Sequence, residues 1–157
     1  MNGKIIGGFL VLSALVAGAA MYYLQVYAFY RPVEVSSPAA AIRLVSLGGV
    51  QEAMLTSDFE AIDADSSPLR FRGCFVTPMT LAMLSETFES YEDPTPLNAP
   101  PWFGCFDAER IGADLETGAA LAFLSEKNIA PGVDRVVAVY PDGHAYAWQQ
   151  LNESAEK

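Results

Sequence analysis

Val133-Asp134-Arg135-Val136-Val137-Ala138-Val139-Tyr140-Pro141-Asp142-Gly143-His144-Ala145-Tyr146-Ala147-Trp148-Gln149-Gln150-Leu151 is the stretch whose reading decides the fold. β-Branched and aromatic residues flank a Pro-Asp-Gly turn, which predicts a hairpin of two antiparallel strands, 133–140 and 144–151. Val136, Val137 and Val139 are expected in a core beside Tyr146 and Trp148.

Reading back from the hairpin, Asp107 is placed to cap a helix that begins Ala108-Glu109-Arg110. Leu115 to Lys127 is expected to continue helically, with Leu121, Phe123 and Leu124 on its buried face; Gly112 and Gly118 leave open whether this is one helix or two. Tyr91 to Pro101 is a loop by composition, because Pro94, Pro96, Pro100 and Pro101 can neither donate to a ladder nor sit inside a helix. Thr80 to Phe88 predicts a short amphipathic helix, with Leu81, Leu84 and Phe88 at helical spacing. Leu69 to Thr77 alternates as a strand does, and Ile42 to Leu47 reads as a first strand ended by Gly48-Gly49. Ser57 or Asp58 is expected to cap a short turn of helix before Asp63. The sum is an α+β domain, an antiparallel sheet with two or three helices against it.

The N-terminal end is of another kind. Ile5 to Tyr30 has no charged side chain. At about 1.5 Å per residue it makes a helix of roughly 39 Å, longer than the ~30 Å hydrocarbon core of a bilayer. It reads as one transmembrane helix. A cleaved signal peptide competes: Lys4 gives a short positive start and Ala17-Gly18-Ala19 a small-residue cleavage pattern. The apolar run continues past that point through Met21, Leu24, Val26 and Phe29, and Tyr22, Tyr23, Tyr27 and Tyr30 gather at its end as interfacial aromatics do. The division expected is therefore 1–30 as anchor, 31–41 as linker broken by Pro32 and Pro38, and 42–157 as domain. Lys4 and the amino terminus at one end, against Arg31 at the other, favour a cytoplasmic N-terminus and a periplasmic domain.

From Arg31 onward the chain carries all nineteen acidic residues and eight of the nine basic ones, a formal charge of −11. Such a surface repels nucleic acid and anionic headgroups and attracts basic partners.

Candidate chemistry is sparse. Cys74 and Cys105 are the only cysteines; in an oxidising compartment they are expected to form a disulfide, the alternative being two buried thiols. His144 is the single histidine and sits at a turn, where solvation is its usual state. Asp63-Ala64-Asp65-Ser66-Ser67 opens like a calcium loop, but Pro68 stands where such a loop needs glycine and Cys74 where it needs a bidentate glutamate. Nothing in the pattern calls for a metal or a cofactor. Arg70 and Arg72, two apart on one strand face, are expected to pair with Asp63 and Asp65 or to contact a partner. Trp102 and Phe103 follow the stiff proline loop, either as a partner-binding anchor or as core. Within the anchor, Gly3-x-x-x-Gly7 and Ala14-x-x-x-Gly18 permit close packing of a second helix, from another copy or from a larger membrane protein.

The opening Met-Asn-Gly-Lys-Ile-Ile, the helix end Met21 to Tyr27, the stretch Ala61 to Arg72 and the run Asp134 to Gly143 together resemble a family of small single-pass membrane proteins of alphaproteobacteria. Some members are called histidine kinases. This chain lacks a second histidine, a phosphoacceptor helix and the glycine-rich ATP boxes of such enzymes. The resemblance implies a bacterial inner membrane and no activity. Two functions are expected from all this. The first is a non-catalytic accessory or assembly subunit docked on an inner-membrane complex of respiratory or photosynthetic type. The second is a membrane-tethered periplasmic hydrolase using carboxylates such as Asp63 and Asp65.

Overall fold

The structure is a computed structural model that describes residues 2–156; Met1 and Lys157, the outer ends of the ranges read from the sequence, lie outside the described residues. The chain divides between Tyr30 and Arg31 into two compact units.

The first unit is helix α1 (Gly3–Tyr23), which passes into one wider π turn, Leu24–Ala28. Together, Gly3–Ala28 is long and apolar enough to cross a membrane, with a mean hydropathy of 2.1 and none of its most apolar window buried within the chain. Tyr23 and Tyr27 stack near its end at 6.0 Å between ring centroids, with Tyr22 edge-on to Tyr27 at 6.3 Å.

The second unit is built on a six-stranded antiparallel sheet. Its strands are β1 (Arg31–Pro32), β4 (Ser57–Asp63), β5 (Arg72–Val76), β6 (Leu121–Ala130), β7 (Val133–Val139) and β8 (His144–Leu151), in the spatial order β1-β4-β5-β8-β7-β6. A separate hairpin joins β2 (Arg43–Val45) to β3 (Gln51–Ala53). Two helices complete the unit, α2 (Leu81–Thr87) and α3 (Ala108–Thr117). The class is α+β, as the sequence predicts. Residues 31–41, read as a linker, carry β1, which pairs Arg31 with Asp63 and Pro32 with Ile62, and a short 3-10 turn over Pro38–Ala40.

The hairpin β7–β8 has the expected turn. Gly143 takes φ +90°, and a Cβ there would meet the Thr77 carbonyl oxygen at 2.6 Å, so only glycine lets the turn lie against the end of β5. Cross-strand neighbours share a face, so the register divides the sheet cleanly. One face carries Phe71, Phe75, Val137, Val139, Ala145 and Ala147, which form a core with Ile42, Leu44, Met54, Leu84 and Phe88 from the β2–β3 hairpin and α2. The other face carries Arg72, Cys74, Val136, Ala138, Tyr146 and Trp148. Phe106 packs edge-on there against Tyr146 and Trp148, at 6.0 and 6.4 Å.

Two elements differ from the sequence reading. The helix capped by Asp107 stops at Thr117, because Gly118 adopts the left-handed conformation that closes a helix. Leu121, Phe123 and Leu124 then belong to strand β6, not to a second helical stretch. Ala122 to Ser125 are all buried, and a strand covered on both faces loses the alternation that would announce it. Ser57 and Asp58 likewise begin β4 rather than cap a helix, with Asp58 at φ +49° where the pairing with β5 shifts register.

Candidate functional site

The long segment between α2 and α3 crosses the Arg72 face of the sheet and is held at three places. Gln150 on β8 accepts from the Thr95 N–H at 2.7 Å and donates to the Asp93 carbonyl at 3.2 Å. Arg72 on β5 donates to the carbonyls of Leu97 at 2.6 Å and Asn98 at 3.1 Å, as well as to those of Leu69 and Phe71. Cys74 is joined to Cys105 by a disulfide, with the Cα atoms 6.3 Å apart. A charged group this deeply buried, at 3 % exposure, needs several acceptors, and the turn of loop supplies them. Arg72 thus donates to main-chain carbonyls, and its charge also opposes the rise of the Asp63 carboxyl; Arg70 lies just outside β5, half-buried.

The loop presents the two aromatic candidates differently. Phe103 is buried at 3 % exposure, whereas Trp102 is 41 % exposed. In the first unit, Gly3, Gly7, Ala14 and Gly18 are exposed along α1, and a Cβ at any of the three glycines would meet nothing within 4 Å. His144 is exposed, with Nδ1 2.9 Å from Asp142; the His144 N–H and ring together hold the Asp142 carboxyl below the usual range. Asp63 is half-buried and its carboxyl is pushed up chiefly by burial, against the hydrogen bond from Ala64 and the field of Arg135; Asp65 beside it is exposed.

The site that sequence reasoning missed is a polar cleft of about 520 Å³ at the end of the same sheet face. It lies among the Tyr91–Thr95 loop, the later part of β6, the start of β7, the end of β8 and the segment that follows it. Asp134 is 5 % exposed in its lining. Its carboxylate accepts from the Asn128 N–H at 2.8 Å, the Asn152 amide at 2.6 Å and the Tyr91 hydroxyl at 3.1 Å. Asn128 reaches it because β6 shifts register between Glu126 and Ala130 and turns Asn128 to φ +51°. Burial first, then Asp134, Glu153 and Asp93, push the Tyr91 hydroxyl up to about 12. The signal available in the sequence is Asp134 itself, an acidic residue that, with Arg135, interrupts a strand otherwise written in valine and alanine.

Residues 42–157 match a family of unknown function, DUF6446. The chain belongs to that family. The part of the chain shared with DUF6446 holds both sides of the disulfide, Arg72, the proline loop and the cleft. No curated protein and no solved structure matches the chain.

Proposed function

We propose that this DUF6446 protein is a non-catalytic accessory or assembly subunit of a larger bacterial inner-membrane complex, of respiratory or photosynthetic type. In this reading α1 is retained as the anchor, the N-terminus is cytoplasmic and the acidic domain is periplasmic. The observation that carries it is the Gly3–Ala28 helix, long and apolar enough to cross a membrane, with Lys4 near its start as its one charged residue. Its small residues at 3, 7, 14 and 18 suit close packing against another helix. The Cys74–Cys105 bond supports an oxidising compartment, and exposed Trp102 on a loop held at three places supports a docking surface that loses little entropy on binding. Purification of the tagged chain from gently solubilised membranes tests the reading: a stoichiometric integral membrane partner is expected.

A second reading, a membrane-tethered periplasmic enzyme using Asp63 and Asp65, is favoured by the raised carboxyl of Asp63. Asp63→Asn separates the two. It abolishes turnover if Asp63 is the acid of a hydrolase and leaves partner recovery unchanged if the chain is an accessory subunit.

A further inference from the structure

A groove of about 680 Å³ lies between the segment 35–41 and the start of β4. Its polar lining residues are Ser36, Ser37, Thr56 and Ser57, one base, Arg43, and one acid, Asp58. Among the described residues, neither Arg43 nor Asp58 forms an ion pair, with each other or with another side chain. The Ser37 hydroxyl is buried and has no hydrogen-bond partner among them, a state that folded chains ordinarily avoid. The frame around these residues is fixed. β2 pairs Arg43 with Ala53, the Arg43 carbonyl accepts from the Ser125 hydroxyl at 2.6 Å, and Phe59 packs on Phe75 at 6.2 Å between ring centroids. The rim is apolar: Val35 is 73 % exposed, and Leu55, next to Thr56 in the chain, is 68 % exposed. Exposed apolar residues gathered in this way are a mark of contact surfaces, lipid surfaces among them.

We propose that this groove binds the headgroup of a zwitterionic phospholipid, a phosphoethanolamine, from the bilayer that α1 crosses. The phosphate lies at Arg43 and the serine and threonine hydroxyls, and the ammonium at Asp58. The inference goes beyond the accessory-subunit reading and rests only on its retained anchor. Three arguments select this occupant. One base and one acid that do not pair with each other match a ligand that carries one phosphate and one ammonium. The formal charge of −11 from Arg31 onward opposes an anionic lipid. A single exposed arginine is too weak to hold free phosphate in water, because exposed ion pairs gain little. It suffices for a lipid, whose headgroups are concentrated at the surface to which the chain is tethered. Only five residues, at most about 17 Å of extended chain, lead from Tyr30 to Val35.

The test places the full chain in nanodiscs of a digalactosyl lipid, which has no phosphate, and adds phosphatidylethanolamine while following the amide resonances of Ser36, Ser37 and Ser57. Saturable shifts are expected at all three. Arg43→Gln should weaken binding about tenfold, whereas Lys127→Gln, at an exposed base on β6, should leave it unchanged. Asp58→Asn, which keeps a residue that tolerates the φ of +49° there, should abolish the preference for phosphatidylethanolamine over phosphatidylglycerol. An absence of saturable shifts would overturn the proposal, as would equal weakening by Lys127→Gln. Phosphatidylglycerol saturating the unaltered chain as readily as phosphatidylethanolamine would refute the zwitterionic pairing. Inorganic phosphate alone saturating the same resonances would give the groove to a soluble anion and overturn the lipid assignment. The mass of the chain recovered from its own membranes keeps the two readings apart. A full-length chain without phospholipid-dependent shifts sinks the groove proposal and leaves the anchor standing. A chain cleaved after Ala19 removes the anchor, and the groove proposal falls with it.

Discussion

Arg72 on β5 reaches across 25 residues of chain to donate its Nε–H to the carbonyl of Leu97 at 2.6 Å. The same guanidinium reaches Asn98 with Nη2 and the carbonyls of Leu69 and Phe71 with Nη1, and lies 5.7 Å from the centroid of Phe106. A planar fork of donors can serve several carbonyls at once; a lysine ammonium cannot span them.

Arg72→Met is therefore expected to destabilise the domain by about 2–4 kcal/mol, since it strands carbonyls that the loop has folded inward. Arg72→Lys should recover less than half of the loss. Denaturant midpoints measure both, and a Lys variant at wild-type stability would show that charge alone suffices.

Cys74 and Cys105 close a loop over a sequence separation of 31 residues. In the chain-entropy account such a closure is worth about 3–4 kcal/mol. The unreduced, denatured protein should take up no alkylating agent, and reduction should lower the denaturation midpoint accordingly. Two free thiols before reduction would contradict the bond.

Trp102 and Phe103 are adjacent in sequence and opposite in exposure. Phe103→Ala should cost about 3–5 kcal/mol of stability, as truncating a buried aromatic does. Trp102→Ala should leave the melting temperature nearly unchanged while reducing recovery of the membrane partner. A large loss of stability at Trp102 would make it core and remove the loop from the interface.

Asp63 titrates above its ordinary range because burial opposes its charge. A carboxyl whose pKa rises on folding holds its proton more tightly in the native state. Its contribution favours the fold in acid and is lost as pH climbs through the raised value. Asp63→Asn should raise the melting temperature at neutral pH, and the gain should shrink as pH falls toward the ordinary carboxylate range. A gain independent of pH would assign the effect to something other than this charge.

Much of the fold is legible in the residues, for local reasons. Asp107 caps α3 by accepting from the Arg110 N–H at 3.0 Å, and the Pro-Asp-Gly turn joins β7 to β8, as their chemistry predicts. β6 is not legible locally. Its apolar residues also fit a helical face, and only its position beside β7, with the 88–91 segment on its other edge, makes it a strand. The cleft escapes the sequence for a similar reason. Tyr91, Asn128, Asp134 and Asn152 are scattered along the chain, and a register shift in β6 brings them together. Asp63 and Asp65 illustrate the reverse. Two apart in sequence and alike in type, they differ in exposure because Asp63 ends β4 opposite Arg31 while Asp65 lies beyond it.

The most direct test of the central claim is the native mass and subunit composition of the full-length chain purified in mild detergent from its own membranes. The account predicts a stoichiometric complex with at least one other integral membrane protein, weakened when Gly7, Ala14 and Gly18 are replaced by leucine to crowd the helix face. Purification of the unaltered chain by itself, as a monomer or a simple homodimer, would contradict it.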